Sequence, residues 1–427
     1  MDLAKKLLFK QLIQDFTEKS LDHVIDRSID LPEDVQKVIS VIGPRRAGKT
    51  FVLYSLIKKL RRKLPITRLV YINFEDDRLY PLQLADLDDF IVGYYELYPE
   101  NKDFPVYFFF DEVQEVSNWE KFIRRINDQE NCRIYLTGSS SKLLTHEIAT
   151  SLRGRTITYE VLPLSFKEFL NFQGVKANPG STKGKARLAK ALSDYFKQGG
   201  FPELIFNPAA IHQRIVQEYL DIMIYRDLSE RYSVRNPALV KYLLKYLLQN
   251  LANPLSFNKV YNDLHSQGLK VARNSVYEYF GYLEETFTLF KTQIYSHSIR
   301  KQSSNPSKIY SVDLAFARAM NHRIDQGRLF ENFVFLHLRR AGLHPNYFLD
   351  KQEVDFYVED RYLINACISM EDYSTRTREV EGLKLAMQKT AMRESYLITW
   401  DEEGELDVGS GIIHMLPLWR WLLMEIE

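Results

Sequence analysis

Residues 43–50 read GPRRAGKT, two glycines with four residues between them, followed by Lys49 and Thr50. That spacing suits phosphate chemistry. Gly43 and Gly48 let a backbone loop fold tightly against phosphate oxygens. The loop amides and the start of the following helix present partial positive charge. Lys49 adds a point charge near the β and γ phosphates, and the Thr50 hydroxyl is placed to ligate Mg²⁺. The contact set expected for ATP is Gly43, Pro44, Arg45, Arg46, Ala47, Gly48, Lys49, Thr50 and Phe51. Arg45 and Arg46 sit at exposed loop positions, where phosphate contact is optional.

A second group lies downstream in VYFFFDEVQ, where Asp111 and Glu112 follow an apolar run. Carboxylates at the end of a buried parallel strand stand where ligands bind in open α/β sheets. Asp111 is expected to hold Mg²⁺, through water, and Glu112 to act as general base on the attacking water. Thr137, ending RIYLT, is placed to reach the γ-phosphate or the water; its plainer reading is a strand cap. Arg153 and Arg155, in SLRGR, offer a guanidinium for transition-state charge, in cis or from a neighbouring subunit, or else a surface ion pair.

These groups need elements to hold them. From Lys37 to about Val161, short apolar strands (37–42, 67–74, 106–110, 133–137) alternate with helical periodicity, as over 50–60. That pattern predicts a parallel sheet covered on both faces. Residues 165–232 read as helical, broken by the polar loop GVKANPGSTKG. Residues 238–312 read as three helices and a two-stranded ribbon around HSIRKQSSNPSK, a winged-helix outline. A second α/β segment follows: a helix over 329–340, three strands, a helix over 379–389, a strand over 395–400 and a closing helix.

Composition bounds the rest. The 427 residues are 45% hydrophobic, with 26 Tyr and 26 Phe, enough for two or three folded domains. A net charge of +1 leaves nucleic-acid binding to local patches. Two distant cysteines, Cys132 and Cys367, form no disulfide or zinc framework and fit a reducing cytoplasm. The first residues lack a signal-peptide apolar stretch, and no run of about 18 apolar residues occurs, so no membrane span is expected.

The chain resembles the AAA-type P-loop ATPases of bacteria and archaea that end in a restriction-endonuclease-like domain. Its marks are GPRRAGKT, YINFEDDRL (71–79), FFDEVQ, YLTGSS, LRGR followed by LPLSFKEFL, GGFPE (199–203), YRDL (225–228), KIYSVDLA (308–315), GRLFENFVFLHL (327–338) and EVDF (353–356). The resemblance implies an ATPase core over 1–162 with an extra strand between the two ATP motifs, a helical lid over 163–235, a winged helix over 236–312 and a nuclease-like fold over 313–427. Two of the marks have structural readings of their own: GGFPE as a turn with a Pro stop, and Ser165 with Glu168 as a capping box.

A restriction-type nuclease holds Mg²⁺ with an Asp on one strand and a Glu on the next, with a Lys two residues later, often joined by a Glu from the first helix. Here Glu331 and Asp355 stand, but Asn365 takes the Glu place and Cys367 the Lys place. A neutral amide is a weak Mg²⁺ ligand and a thiol brings no ammonium charge, so a degenerate, non-cleaving site is expected. Lys351, nearby, is a candidate to migrate into the role of the missing lysine.

The winged helix offers DNA contacts at Arg273, beside Asn274 and Ser275, and at Arg300, Lys301 and Lys308 of the ribbon. Glu278, Glu284 and Glu285 on the same helix oppose a phosphate surface. Two functions follow: a Mg-dependent ATPase that remodels or repairs nucleic acid, alone or as a homo-oligomer, or a slowly hydrolysing nucleotide switch acting on a protein partner.

Overall fold

The computed structural model describes residues 3–139, 154–176, 178–269, 271–321, 323 and 325–426. The chain divides into two compact units, Met1–Val161 and Leu162–Glu427.

The first unit opens with helix α1 (Leu3–Glu18), which buries Phe9, Ile13 and Phe16 at helical spacing. Strand β1 (Val38–Ile42), helix α2 (Lys49–Leu60), β2 (Leu69–Asn73), α3 (Asp86–Leu97), β3 (Val106–Asp111), α4 (Trp119–Gln129), β4 (Cys132–Gly138) and β5 (Thr156–Glu160) follow. The strands pair in the order β2-β3-β4-β1-β5, each pair parallel. Every residue of VISVI in β1 and of VYFFFD in β3 is buried, as a sheet covered on both faces requires. β4 lies in the sheet between β1 and β3, the strands that carry the two ATP motifs, and β2 lies between them in sequence. Phe16 of α1 stacks on Tyr71 of β2 with ring centroids 4.6 Å apart, locking helix to sheet.

The order places β4 between β1 and β3, and the register keeps their ends level: Val41 lies opposite Thr137, and Phe110 opposite Leu136. The loop after β1, the acids ending β3 and Thr137 of β4 therefore share one edge of the sheet.

The second unit begins with helices α5 (Phe166–Phe172), α6 (Thr182–Gln198), α7 (Pro202–Ile205) and α8 (Ala209–Ile222), the last running into a π-helical stretch, Met223–Glu230. Ser165 and Glu168 form the expected capping box. Next come α9 (Pro237–Gln249), α10 (Phe257–Ser266), α11 (Arg273–Glu285), strand β6 (Leu289–Thr292), α12 (Ile299–Ser304), strand β7 (Lys308–Ser311) and α13 (Leu314–Met320). β6 and β7 pair antiparallel, and Leu255, between α9 and α10, bridges to Ser307. The turn of the ribbon is thus partly helical.

Gly199 and Gly200 are structural. Asp313 caps α13 by accepting from the Ala315 amide at 2.8 Å, and its other oxygen accepts from the Gly200 amide at 2.7 Å. Gly199 has φ +84°, and a Cβ there would come 2.0 Å from the Asp313 carboxylate. Burial pushes the Asp313 carboxyl up to about 6, against the lowering effect of these amides.

Helix α14 (Gln326–Arg340) leads into β8 (Asn346–Leu349), β9 (Glu353–Val358), β10 (Tyr362–Ala366), α15 (Tyr373–Thr390), β11 (Glu394–Thr399), β12 (Gly404–Asp407), β13 (Ile412–Pro417) and α16 (Leu418–Trp421). The sheet order is β12-β13-β11-β10-β9-β8. β8, β9 and β10 form an antiparallel meander, β10 pairs parallel with β11 and β11 with β13, and β12 closes the edge antiparallel. The hairpin of β12 and β13 goes beyond the single late strand expected. Phe348, Leu363, Leu383 and Leu397 build the core between this sheet and α15.

Candidate functional site

At the shared edge of the first sheet, Gly48 caps α2 with φ 94° and Arg46 is also left-handed, so the loop wraps around the helix start. Gly43 has a packing reason as well: a Cβ there would meet the Val161 carbonyl oxygen at 2.1 Å. Arg45 pairs with Glu75, beyond β2, at 3.0 Å, and Arg27 donates to the Ala47 carbonyl at 2.6 Å. Arg46 and Phe51 are exposed.

Lys49 is buried, its ammonium donating to the Gly43 and Pro44 carbonyls at 3.2 and 3.1 Å and standing 3.7 Å from Glu112. Thr50 donates to Asp111 at 2.7 Å, and Tyr71 donates to the same Asp111 oxygen at 2.7 Å. Thr137 donates to the other Asp111 oxygen and accepts from the Glu112 amide at 2.9 Å. Burial, followed by the Glu112 charge, raises the Asp111 carboxyl, while its three hydroxyl donors pull it down. Glu112 has φ 52°, which turns its side chain off the line of β3, and Gln114 donates to it at 2.6 Å. The structure brings together Lys49, Thr50, Asp111, Glu112 and Thr137. Tyr71 and Gln114 belong to the same network; Tyr71 was signalled only by its place in YINFEDDRL.

This donor set fits a nucleotide with a hard cation. A Thr hydroxyl and a strand-end carboxylate face each other, with a buried ammonium beside them. Ser139, at the end of β4, is buried with its hydroxyl unpartnered among the described residues. A cavity of about 340 Å³ runs along α2 from Val52 to Arg62, walled opposite by Asp26–Leu31. Arg27 joins that wall to the phosphate loop.

Arg155 is not brought to this site in its own chain. Val38 pairs with Thr156, so Arg155 lies at the other edge of the sheet, about 15 Å from the loop after β1 at the usual rise per residue. It is half exposed and pairs with Asp128. Arg153 lies outside the described residues.

In the second unit, Lys308 is not a surface cation. It is fully buried, its ammonium within 2.8 Å of Glu331, 2.8 Å of Glu353 and 2.9 Å of Asp355. This corrects the expectation of a DNA contact there. Asp355 on β9 lies across from Asn365 on β10, whose side-chain oxygen accepts from the Asp355 amide at 3.0 Å. The Asn365 amide donates to Glu379 of α15 at 2.7 Å. Burial, then the Asp355 charge, raises Glu379 and pushes Glu331 up to about 8. Burial pushes the Cys367 thiol up to about 11, and it donates to the Ser369 carbonyl. Among the described residues, no group of three His, Cys, Asp or Glu has metal-holding geometry.

Arg273, Arg300 and Lys301 are exposed; Arg273 lies on α11 and hydrogen-bonds Asn258 at 2.5 Å, while the other two lie on α12. Glu278 is exposed on the same helix as Arg273. No helix among the described residues is long and apolar enough to cross a membrane.

Residues 35–170 match a family model described as an AAA domain, the segment that carries Gly43–Thr50, Tyr71, Asp111, Glu112 and Thr137. The Methanocaldococcus jannaschii protein MJ1544 is 36% identical over 437 aligned positions, covering 99% of this chain and 96% of that one. This chain belongs to the MJ1544 family. Residues 35–170 of this MJ1544-family protein carry an AAA domain. A Haemophilus influenzae protein is 27% identical over 91% of the chain and 94% of its own length. Residues 189–327 of the MJ1544-family protein match a second model, described as a domain of unknown function, DUF8612. Among solved structures, Aeropyrum pernix ORC1 in complex with DNA is 14% identical over 75% of this chain and 91% of its own, with a TM-score of 0.32. AMPPCP-bound DnaA from Aquifex aeolicus is 12% identical over 65% and 88%, with a TM-score of 0.26. Scores this low carry neither fold nor partner.

Proposed function

We propose that this protein is a Mg-dependent ATPase whose first unit binds and hydrolyses ATP. The observation that carries the reading is the convergence of Thr50, Tyr71 and Thr137 on Asp111, beside Lys49 and Glu112. Thr50 and Asp111 would hold Mg²⁺, which neutralises charge on the phosphate oxygens when bound. Lys49, held over the loop carbonyls, turns to the phosphates as nucleotide enters. That takes the Lys49 ammonium away from Glu112. Glu112, oriented by Gln114, takes the proton of the attacking water. Thr137 keeps Glu112 in place by accepting from its backbone amide.

The second unit is read as a lid, a winged helix and a restriction-nuclease-like fold. The order α9–α10–α11–ribbon with the Leu255 bridge, and the helix–meander–helix–strand order from α14 to β11, support those assignments. The nuclease-like site does not cleave: Asn365 is committed to Glu379, Cys367 is a thiol, and Lys308 sits among the acids. Arg273, Arg300 and Lys301 give the winged helix a modest cationic face, which favours an ATPase acting on nucleic acid. The exposed Glu278, on the same helix as Arg273, favours the second reading, a switch on a protein partner. Steady-state ATPase assays with single-stranded, duplex and branched DNA separate them. Stimulated turnover supports the first; slow, DNA-indifferent turnover with retained nucleotide supports the second.

A further inference from the structure

We propose that the Lys308 ammonium is the resident cation of the C-terminal carboxylate cluster, filling the place among Glu331, Glu353 and Asp355 that a divalent metal would otherwise take. The cluster is closed to metal as long as the lysine is there. This rests on the geometry of the second unit alone and is independent of the ATP reading.

Three carboxylates from α14 and β9 converge on one point. Glu353 and Asp355 are two residues apart on one strand and share a face. Glu331 is buried, Asp355 nearly so and Glu353 partly exposed, and ionised carboxylates this close are favoured by a positive charge between them. The charge present is an ammonium with three N–H donors, and three carboxylate oxygens stand at 2.8, 2.8 and 2.9 Å from it. These are N–H···O distances. Metal–oxygen bonds are shorter, about 2.0–2.1 Å for Mg²⁺ and 2.3–2.6 Å for Ca²⁺. The spacing is that of an ammonium shell.

The ribbon is docked so as to deliver it. Ile294 bridges to Tyr347 of β8, and the Tyr347 hydroxyl donates to the Pro306 carbonyl at 2.6 Å, two residues before Lys308. Two residues after it, Tyr310 donates to Glu331 at 2.7 Å. Burial alone would lower the lysine, but Asp355 and Glu331 outweigh it and hold it well above its usual value. An ordinary buried ion pair would explain the contacts; it would not predict that a metal can replace the lysine.

The test is a Mn²⁺ titration of nucleotide-free protein, followed by electron paramagnetic resonance and by thermal unfolding, with Asp355→Asn identifying the site. With Lys308 intact, no Mn²⁺ sensitive to Asp355→Asn should bind. Lys308→Ala should unfold at lower temperature, recover with Mn²⁺, and bind one ion with a dissociation constant of roughly 10⁻⁴–10⁻³ M, as for weak oxygen sites. If Lys308→Ala is insoluble, recovery of folded protein on refolding with Mn²⁺ but not without it supports the proposal. Lys308→Ser, which also empties the place and keeps all three carboxylates, gives the same readout in a second background. Asp355-dependent Mn²⁺ binding to the Lys308 protein overturns the proposal, as does failure of both Lys308 variants to take Mn²⁺.

Discussion

The Thr50 hydroxyl donates to the Asp111 carboxylate at 2.7 Å, joining the first turn of α2 to the end of β3 across the width of β4. The same carboxylate accepts from Tyr71 and Thr137, so its position is fixed from two neighbouring strands and a helix. Tyr71→Phe removes one donor to a buried, charged acceptor, a change of about 1–3 kcal/mol where the group is left short of partners. It should weaken Mg-dependent nucleotide binding while leaving Mg-free binding nearly unchanged, as isothermal titration in Mg²⁺ and in EDTA would show.

Glu112→Gln keeps the shape of the site and removes its base. Hydrolysis should slow by roughly 10²–10⁴-fold with ATP still bound. Single-turnover hydrolysis at the wild-type rate would place the base elsewhere, with Glu115 and Glu75, which pairs with Arg45, the next residues to test.

Arg155→Ala should leave single-turnover hydrolysis by dilute protein within about twofold, because an exposed ion pair with Asp128 contributes little. A large loss that appears only at high protein concentration would show the arginine acting on a neighbouring subunit.

Much of the first site was legible because its motifs are short and continuous. GPRRAGKT and the acids ending VYFFFD carry their own context, strand before and helix or turn after. Tyr71 and Gln114 were not singled out, since their role depends on strand order and on the turn after Glu112. The C-terminal cluster was less legible still. Lys308, Glu331, Glu353 and Glu379 come from four separate elements, and a lysine beside a basic turn reads as solvent-facing until the ribbon is docked on β8. The β12 strand, GELD, is polar and half exposed, so it has no apolar pattern to announce it.

Asp313 gives a pH signature. Its folded value of about 6 lies above its unfolded value, so the stability it contributes is fully present at low pH and is lost as pH rises through 6. Between pH 7 and pH 5 the protein should gain about 1 kcal/mol relative to Asp313→Asn, which lacks this titration. Denaturant unfolding of both proteins at the two pH values measures the difference; a constant gap would contradict it.

DNA binding through the second unit should be electrostatic. Neutralising Arg273, Arg300 and Lys301 together should weaken it at every sequence and flatten its salt dependence. Lys308→Gln should leave the salt slope unchanged, because that lysine faces carboxylates and not solvent. No cleavage of supercoiled, linear or branched DNA is expected in Mg²⁺ or Mn²⁺. Restoring Asn365→Glu and Cys367→Lys should still give no nicking while Lys308 remains.

The most direct measurement of the central claim is thermal unfolding across a Mg-ATP series in the wild type and in Lys49→Ala. A ligand at a hundred times its dissociation constant adds about 2.7 kcal/mol, so the wild-type midpoint should climb with nucleotide and the Lys49→Ala midpoint should stay flat. A wild-type curve unmoved by millimolar Mg-ATP would contradict the assignment of the Gly43–Thr50 loop as a nucleotide site.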